Sequence, residues 1–101
     1  MIIHRWQAQT LPTIQQMKIL FEQEGLDPIE ESYEPHIKIS EHKHPFCEIR
    51  MVLQGEMIFN VKGNQFVLRP GDRVEIPANT KHSHTAHGSQ SCICICGQRA
   101  I

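Results

Sequence analysis

Several things are missing from this sequence, and each absence removes a class of function. No apolar stretch approaches the roughly 20 residues that a helix needs to cross a bilayer. The opening Met1-Ile2-Ile3-His4-Arg5-Trp6 turns polar within a few positions and has no signal-peptide core. A cytoplasmic protein without a membrane partner is therefore expected. Excess charge is missing as well: 10 Lys and Arg face 11 Asp and Glu, for a formal net charge of −1. With no basic field and no Lys/Arg cluster to hold a polyanion, no nucleic-acid partner is expected. There is also no Gly-rich phosphate cradle, no nucleotide motif and no Ser/His/Asp order. Nor do the cysteines form a disulfide framework. Of the 4, three alternate in Cys92-Ile93-Cys94-Ile95-Cys96, and alternate residues of a strand stand too far apart to bond. Free thiols in a reducing compartment follow.

What is present suffices for one core. A chain of 101 residues with 40% hydrophobic content fits a single folded domain rather than a disordered segment. One helix is signalled. Thr13 caps its start and Gln16 reaches back in the capping-box pattern, after which Ile14, Met17, Leu20 and Phe21 recur at helical spacing. Gly25 takes the left-handed stop, Leu26 folds back onto the last turn and Pro28 blocks continuation. The expectation is a helix over about 13–24, within an N-terminal segment 1–34, packed by one face on a larger body formed by residues 35–101.

That body reads as short strands broken by turns. His36 to Ser40, Glu48 to Leu53, Glu56 to Val61, Gln65 to Leu68, Arg73 to Ile76 and Ser91 to Cys96 are strand candidates. Between them stand turns such as Lys62-Gly63-Asn64 and Arg69-Pro70-Gly71-Asp72. Strands at this spacing predict an all-β antiparallel barrel or sandwich. Within Glu48 to Leu53, Glu48, Arg50 and Val52 share one face, and Ile49, Met51 and Leu53 the other. The second face needs cover from the helix or from a partner subunit, and with Met57, Phe59 and Val61 on one side of the next strand this points to a homodimer.

The histidines carry the chemistry. His42 and His44 stand two apart in an extended stretch, so their imidazoles can point the same way. As a bare pair they read as surface polarity before they read as half of a metal site. Glu48 follows a short Pro-Phe-Cys turn, and His82 lies on a separate strand after the Pro77 turn. Three imidazoles and a carboxylate make a donor set for a borderline divalent ion: iron, manganese, nickel, cobalt or zinc. An octahedral ion held this way keeps two positions for water or a ligand. His84 shares the alternation face of His82, as a supporting donor or substitute ligand. His4, His36 and His87 have no spacing that ties them to this set, and read as surface residues.

Here the sequence resembles the cupin superfamily. The first cupin motif appears as His42-Lys43-His44, then Glu48, then Gly55. The second appears as Gly71, Pro77-Ala78-Asn79 and His82, with Leu68-Arg69-Pro70-Gly71-Asp72 between the two. The resemblance covers roughly residues 35–96 and implies a jelly-roll barrel with His42, His44, Glu48 and His82 as metal ligands. Three positions depart from the pattern. His36 stands at the first glycine, Asn79 replaces the glycine after Pro77, and Ala86 stands at the usual asparagine. Asparagine is the next best residue at positive φ.

Arg50, two after Glu48 on the same face, reads either as the partner that orients Glu48 or as a clamp for an anionic ligand. The Glu48-Ile49-Arg50 run also resembles the acireductone dioxygenases, longer metal enzymes of the same superfamily. Phe46, Val52, Ile58 and Val74 read as wall or core. Cys47 is a thiol near the site or a buried one. Cys92, Cys94 and Cys96 share one strand face, as barrel filler or lining. Two functions of different class remain open. One is a metalloenzyme, an oxygenase, lyase or isomerase acting on a small oxygenated metabolite with Arg50 and His84 assisting. The other is a non-catalytic metal- or ligand-binding module.

Overall fold

Thr13 starts the helix as its spacing predicts. In the computed structural model, which describes residues 1–100, α1 spans Ile14–Gln23. The Gln16 amide donates to Thr13 Oγ1 at 3.2 Å, and the Thr13 amide donates to Gln16 Oε1 at 2.8 Å, closing the capping box. At the other end Gly25 adopts φ +76°. The Leu26 amide reaches Phe21 O at 2.9 Å and the Gly25 amide reaches Glu22 O at 3.0 Å, the paired bonds of a Schellman stop. Met17 and Phe21 are fully buried, whereas Leu20, expected beside them, is 40% exposed. The buried stripe is centred between Met17 and Phe21, which puts Leu20 about 80° off centre at 3.6 residues per turn.

The remaining elements are antiparallel strands in two facing sheets, a jelly-roll barrel. β1 (Ile2–His4), β2 (Ile29–Tyr33), β4 (Cys47–Gln54), β7 (Arg73–Ile76) and β9 (Cys92–Arg99) form one sheet in the order β1-β7-β4-β9-β2. β3 (Lys38–His42), β5 (Glu56–Val61), β6 (Asn64–Leu68) and β8 (His82–His87) form the other, in the order β3-β8-β5-β6. Two of these strands, β1 and β2, lie in the segment where only a helix was expected. β1 is three residues long, and β2 reads Ile-Glu-Glu-Ser-Tyr at a sheet edge, where most side chains stay in water and no apolar alternation develops. The first 33 residues thus encircle the sheet. β1 lines one edge, α1 lies across the outer face, and β2 lines the opposite edge.

Strand alternation sorts the core into two layers. Val52, Met57, Phe59, Leu68, Val74 and Ile76 fill the barrel with Cys92, Cys94 and Cys96. Ile49, Met51 and Ile95 face outward and meet Met17, Phe21 and Leu26, so the helix supplies the cover that the second face of β4 requires. Burying a side chain the size of Phe21 contributes about 1.5–3 kcal/mol. Ile58, expected as wall or core, is half-buried on the outer side of β5, because Met57 and Phe59 take the inner positions. Gly55, at φ +76°, closes the turn from β4 to β5, where an added Cβ would lie 2.6 Å from the Ser91 carbonyl oxygen. Among the described residues no helix is long and apolar enough to cross a membrane.

Candidate metal centre

β3 and β8 bring the histidines together. They pair antiparallel with Ile39 opposite His84 and His42 opposite His82. Three steps on β3 are therefore matched by two on β8, and the extra residue makes a bulge. Without it Ile39 and His42 would point to opposite faces, whereas both line the same cavity. His44 lies just past β3, and its carbonyl accepts the Asn79 amide at 2.7 Å. That bond ties the first histidine stretch to the turn that precedes His82. Asn79 sits at φ +61° and His36 at φ +68°, so both residues that replace a family glycine adopt the conformation the glycine would.

The ligating atoms of His42, His44 and His82 all lie within 4.8 Å of one another. Two of the rings are oriented by their own backbone. His42 Nδ1 donates to Ser40 O at 2.8 Å and His82 Nδ1 donates to Thr80 O at 2.8 Å, which leaves Nε2 of each as a free lone pair. Glu48, the first inward residue of β4, completes the group. Its Oε2 lies 3.2 Å from His82 Nε2, and its Oε1 lies 3.8 Å from His44 Nε2. Neither Glu48 Oε2 nor His82 Nε2 has a hydrogen-bond partner among the described residues, although both atoms are buried. Two buried lone-pair atoms facing each other at 3.2 Å with no donor to share are what a divalent ion would satisfy. The donor set fits such a metal.

Electrostatics sharpen the picture. Burial alone would raise the Glu48 carboxyl, but the adjacent His82 and Arg50 outweigh it and pull Glu48 down to about 2. Burial pushes His82 down, yet Glu48 and the Thr80 carbonyl leave it raised. Arg50, 2% exposed, donates through NH2 to Glu48 Oε1 at 3.2 Å and through NH1 to Tyr33 Oη at 3.1 Å. Glu31 Oε1 lies 3.6 Å from the same NH2. Tyr33 and Glu31 come from β2, outside the motifs, and no spacing in the sequence links them to the site.

His84 faces the same cavity, its ring centroid 5.8 Å from that of His42 and 6.5 Å from that of His82, but it is not one of the three whose ligating atoms lie within 4.8 Å of one another. Burial and then the nearby Arg50 charge push it down to about 3. Cys47 packs on the outer side with the helix rather than beside Glu48, and Cys92 and Cys94 are barrel filler. Phe46 stacks on His44 at 4.7 Å between ring centroids. His4, His36 and His87 are exposed and away from the cluster. The cavity, about 470 Å³, opens onto His42, His44, Glu48, Arg50 and His84.

Comparison with known proteins agrees with this architecture. An acireductone dioxygenase from Bacillus licheniformis is 30% identical over 60 residues, 54% of this chain and 34% of that protein. The chain thus spans about a third of that relative. A cupin superfamily protein from Desulfitobacterium hafniense superposes with a TM-score of 0.67 at 13% identity, covering 99% of this chain and 77% of that one. A cupin protein from Bacteroides fragilis gives a TM-score of 0.66 at 19% identity, covering 74% of this chain and 65% of that one. The family model described as the cupin domain matches residues 29–97, the stretch that holds β2 to β8, most of β9 and all the histidines of the cluster. On that match, and on the barrel it predicts, the chain belongs to the cupin superfamily.

Proposed function

We propose that the chain holds a divalent transition metal through His42, His44, His82 and Glu48 and uses it on a small oxygenated metabolite, as an oxygenase, lyase or isomerase. The observation that carries this reading is the convergence of three imidazole ligating atoms within 4.8 Å of one another, beside a carboxylate oxygen that nothing else satisfies. The metal, when bound, supplies Lewis acidity to a coordinated oxygen and, where it is iron, a means of activating dioxygen. The protein's own groups do the rest. The Ser40 and Thr80 carbonyls hold the rings of His42 and His82 in one tautomer. Arg50 positions the Glu48 carboxylate and keeps it ionised. His84, fixed in the cavity wall, offers a ring nitrogen as a hydrogen-bonding contact to a molecule in the cavity.

The open cavity favours this reading over a purely structural ion, which protein ligands would enclose on every side. Metal analysis of protein purified without a nickel column is the test. One equivalent of iron, manganese, nickel, cobalt or zinc is expected, and it should be absent from a His42→Ala/His82→Ala double variant. Wild-type protein that stays metal-free after incubation with each of these ions would overturn the proposal.

A further inference from the structure

The helix that covers the outer face of β4 leaves its own outer face to water. Of the seven large apolar side chains exposed among the described residues, three gather there: Leu11, Ile19 and Leu20, at 46%, 53% and 40%. With Trp6, Gln16 and Gln23 they line an open groove of about 440 Å³, and no charged side chain among the described residues lines it. Apolar residues scattered singly over a surface need no explanation. A contiguous uncharged patch on a chain that is 21% charged marks a contact surface.

The order of residues on α1 decides what fits that surface. Gln16 and Gln23 are seven positions apart, so they stand within about 20° of one another, in line along the helix. Ile19 and Leu20 fall between them, about 50° to either side of that line, and the stripe as a whole is about 130° from the one that Met17 and Phe21 bury. From either end the stripe reads the same: a glutamine, a pair of branched apolar residues, a glutamine. Such a surface matches its own copy turned end for end, which is the condition for a two-fold contact. Antiparallel helices related by an axis between Ile19 and Leu20 would set Ile19 on Ile19, Leu20 on Leu20, and Gln16 of each on Gln23 of the other. The Thr13 amide already occupies Gln16 Oε1, which leaves Gln16 Nε2 to donate to the Gln23 side-chain oxygen. Along the flank the same axis brings Lys18 of one copy level with Glu22 of the other, opposite charges on one rim. A lipid surface calls for a basic rim instead, and Lys18 is the only base of α1, with Glu22 on the helix and Glu24 capping it.

We propose that this face of α1 seats a second copy of the chain, in a two-fold antiparallel helix pair centred between Ile19 and Leu20. The groove shares no lining residue with the histidine cavity, so the pairing is independent of the metal. A helix of 10 residues, about 15 Å long, makes a small contact, and the dimer is therefore reversible.

Sedimentation velocity of the full chain from about 1 µM to about 1 mM is the test, with the emission of Trp6, the chain's only tryptophan, as a local probe. A dimer is expected to form within that range as Trp6 emission moves to the blue. Ile19→Lys, at an exposed position, should weaken it by about tenfold or more and leave the melting temperature of the monomer unchanged. Gln16→Glu/Gln23→Lys should hold or tighten the dimer, because each introduced acid meets an introduced base and glutamate preserves the capping box. Gln16→Glu/Gln23→Glu sets acid against acid at both ends and should weaken it by about tenfold or more. Wild type that is monomeric at the highest concentration, Ile19→Lys that dimerises like wild type, or two glutamine double variants that behave alike would each overturn the proposal. So would wild type that stays monomeric but pellets with phosphatidylglycerol vesicles, since the face would then belong to a lipid surface.

Discussion

His42 and His82 illustrate how a site is set by bonds other than those to its ligand. Each imidazole spends its Nδ1 proton on a carbonyl two residues back, so the geometry of the strand decides which nitrogen is offered. His82→Ala should weaken metal binding by more than the roughly 10–100-fold that losing a supporting group costs, measured by competition with a chelator. Arg50 carries a different prediction. Removing one partner of a buried ion pair costs about 3–5 kcal/mol, so Arg50→Met should lower the melting temperature of metal-free protein. Metal should recover more of that loss in the variant than it adds to the wild type, because the ion gives Glu48 a second counter-charge. The residues that meet at the centre were legible in the sequence because the His-x-His spacing pairs two imidazoles, and the resemblance to the two cupin motifs sets Glu48 and His82 beside them. Tyr33 and Glu31 were not. They reach Arg50 only because β2 pairs with β9, a contact between segments some sixty residues apart that no local pattern records.

At the scale of elements, the helix could be read from end to end because each of its signals is local: a capping pair, a stop glycine and an apolar stripe. The long inner strands could be read from their alternation. The bulge in β3 could not, since it appears only when β3 is laid against β8. The turn before β7 is a similar case, and it carries a pH prediction. Asp72 accepts the Trp6 amide at 2.9 Å, the Arg69 amide at 3.0 Å and Arg5 NH1 at 2.8 Å, fastening the chain after β1 to this turn. Burial alone would raise the Asp72 carboxyl, but the two amides and Arg5 hold it below the usual range. A depressed carboxyl contributes stability that is whole above the unfolded value, about 3.9, and is lost as pH falls through the lower folded value. Asp72→Asn should therefore cost about 2 kcal/mol near neutral pH. In thermal melts the gap to wild type should close as the pH drops below about 4. Gly55→Ala should be destabilising at every pH, because its Cβ would meet the Ser91 backbone in a left-handed turn.

For the whole molecule, the proposed metal and the fold would share one equilibrium. An ion that binds only the folded chain stabilises it by about 2.7 kcal/mol at a hundred times its dissociation constant. In a domain of this length that raises the melting temperature on the order of 10 °C. Calorimetry with and without chelator should show this rise in wild type and lose it in His82→Ala. The N-terminal segment that encircles the larger sheet has a consequence of its own. A fragment trimmed to residues 29–97 would retain every histidine of the cluster and the family pattern intact. It would also strip β7 of its neighbour and uncover Ile49, Met51 and Ile95, leaving a raw hydrogen-bonding rim beside a greasy wall. Such a fragment should precipitate or stack rim to rim, which size-exclusion chromatography beside the whole chain would show, so the segment that holds none of the clustered histidines is the one that shields the barrel bearing them.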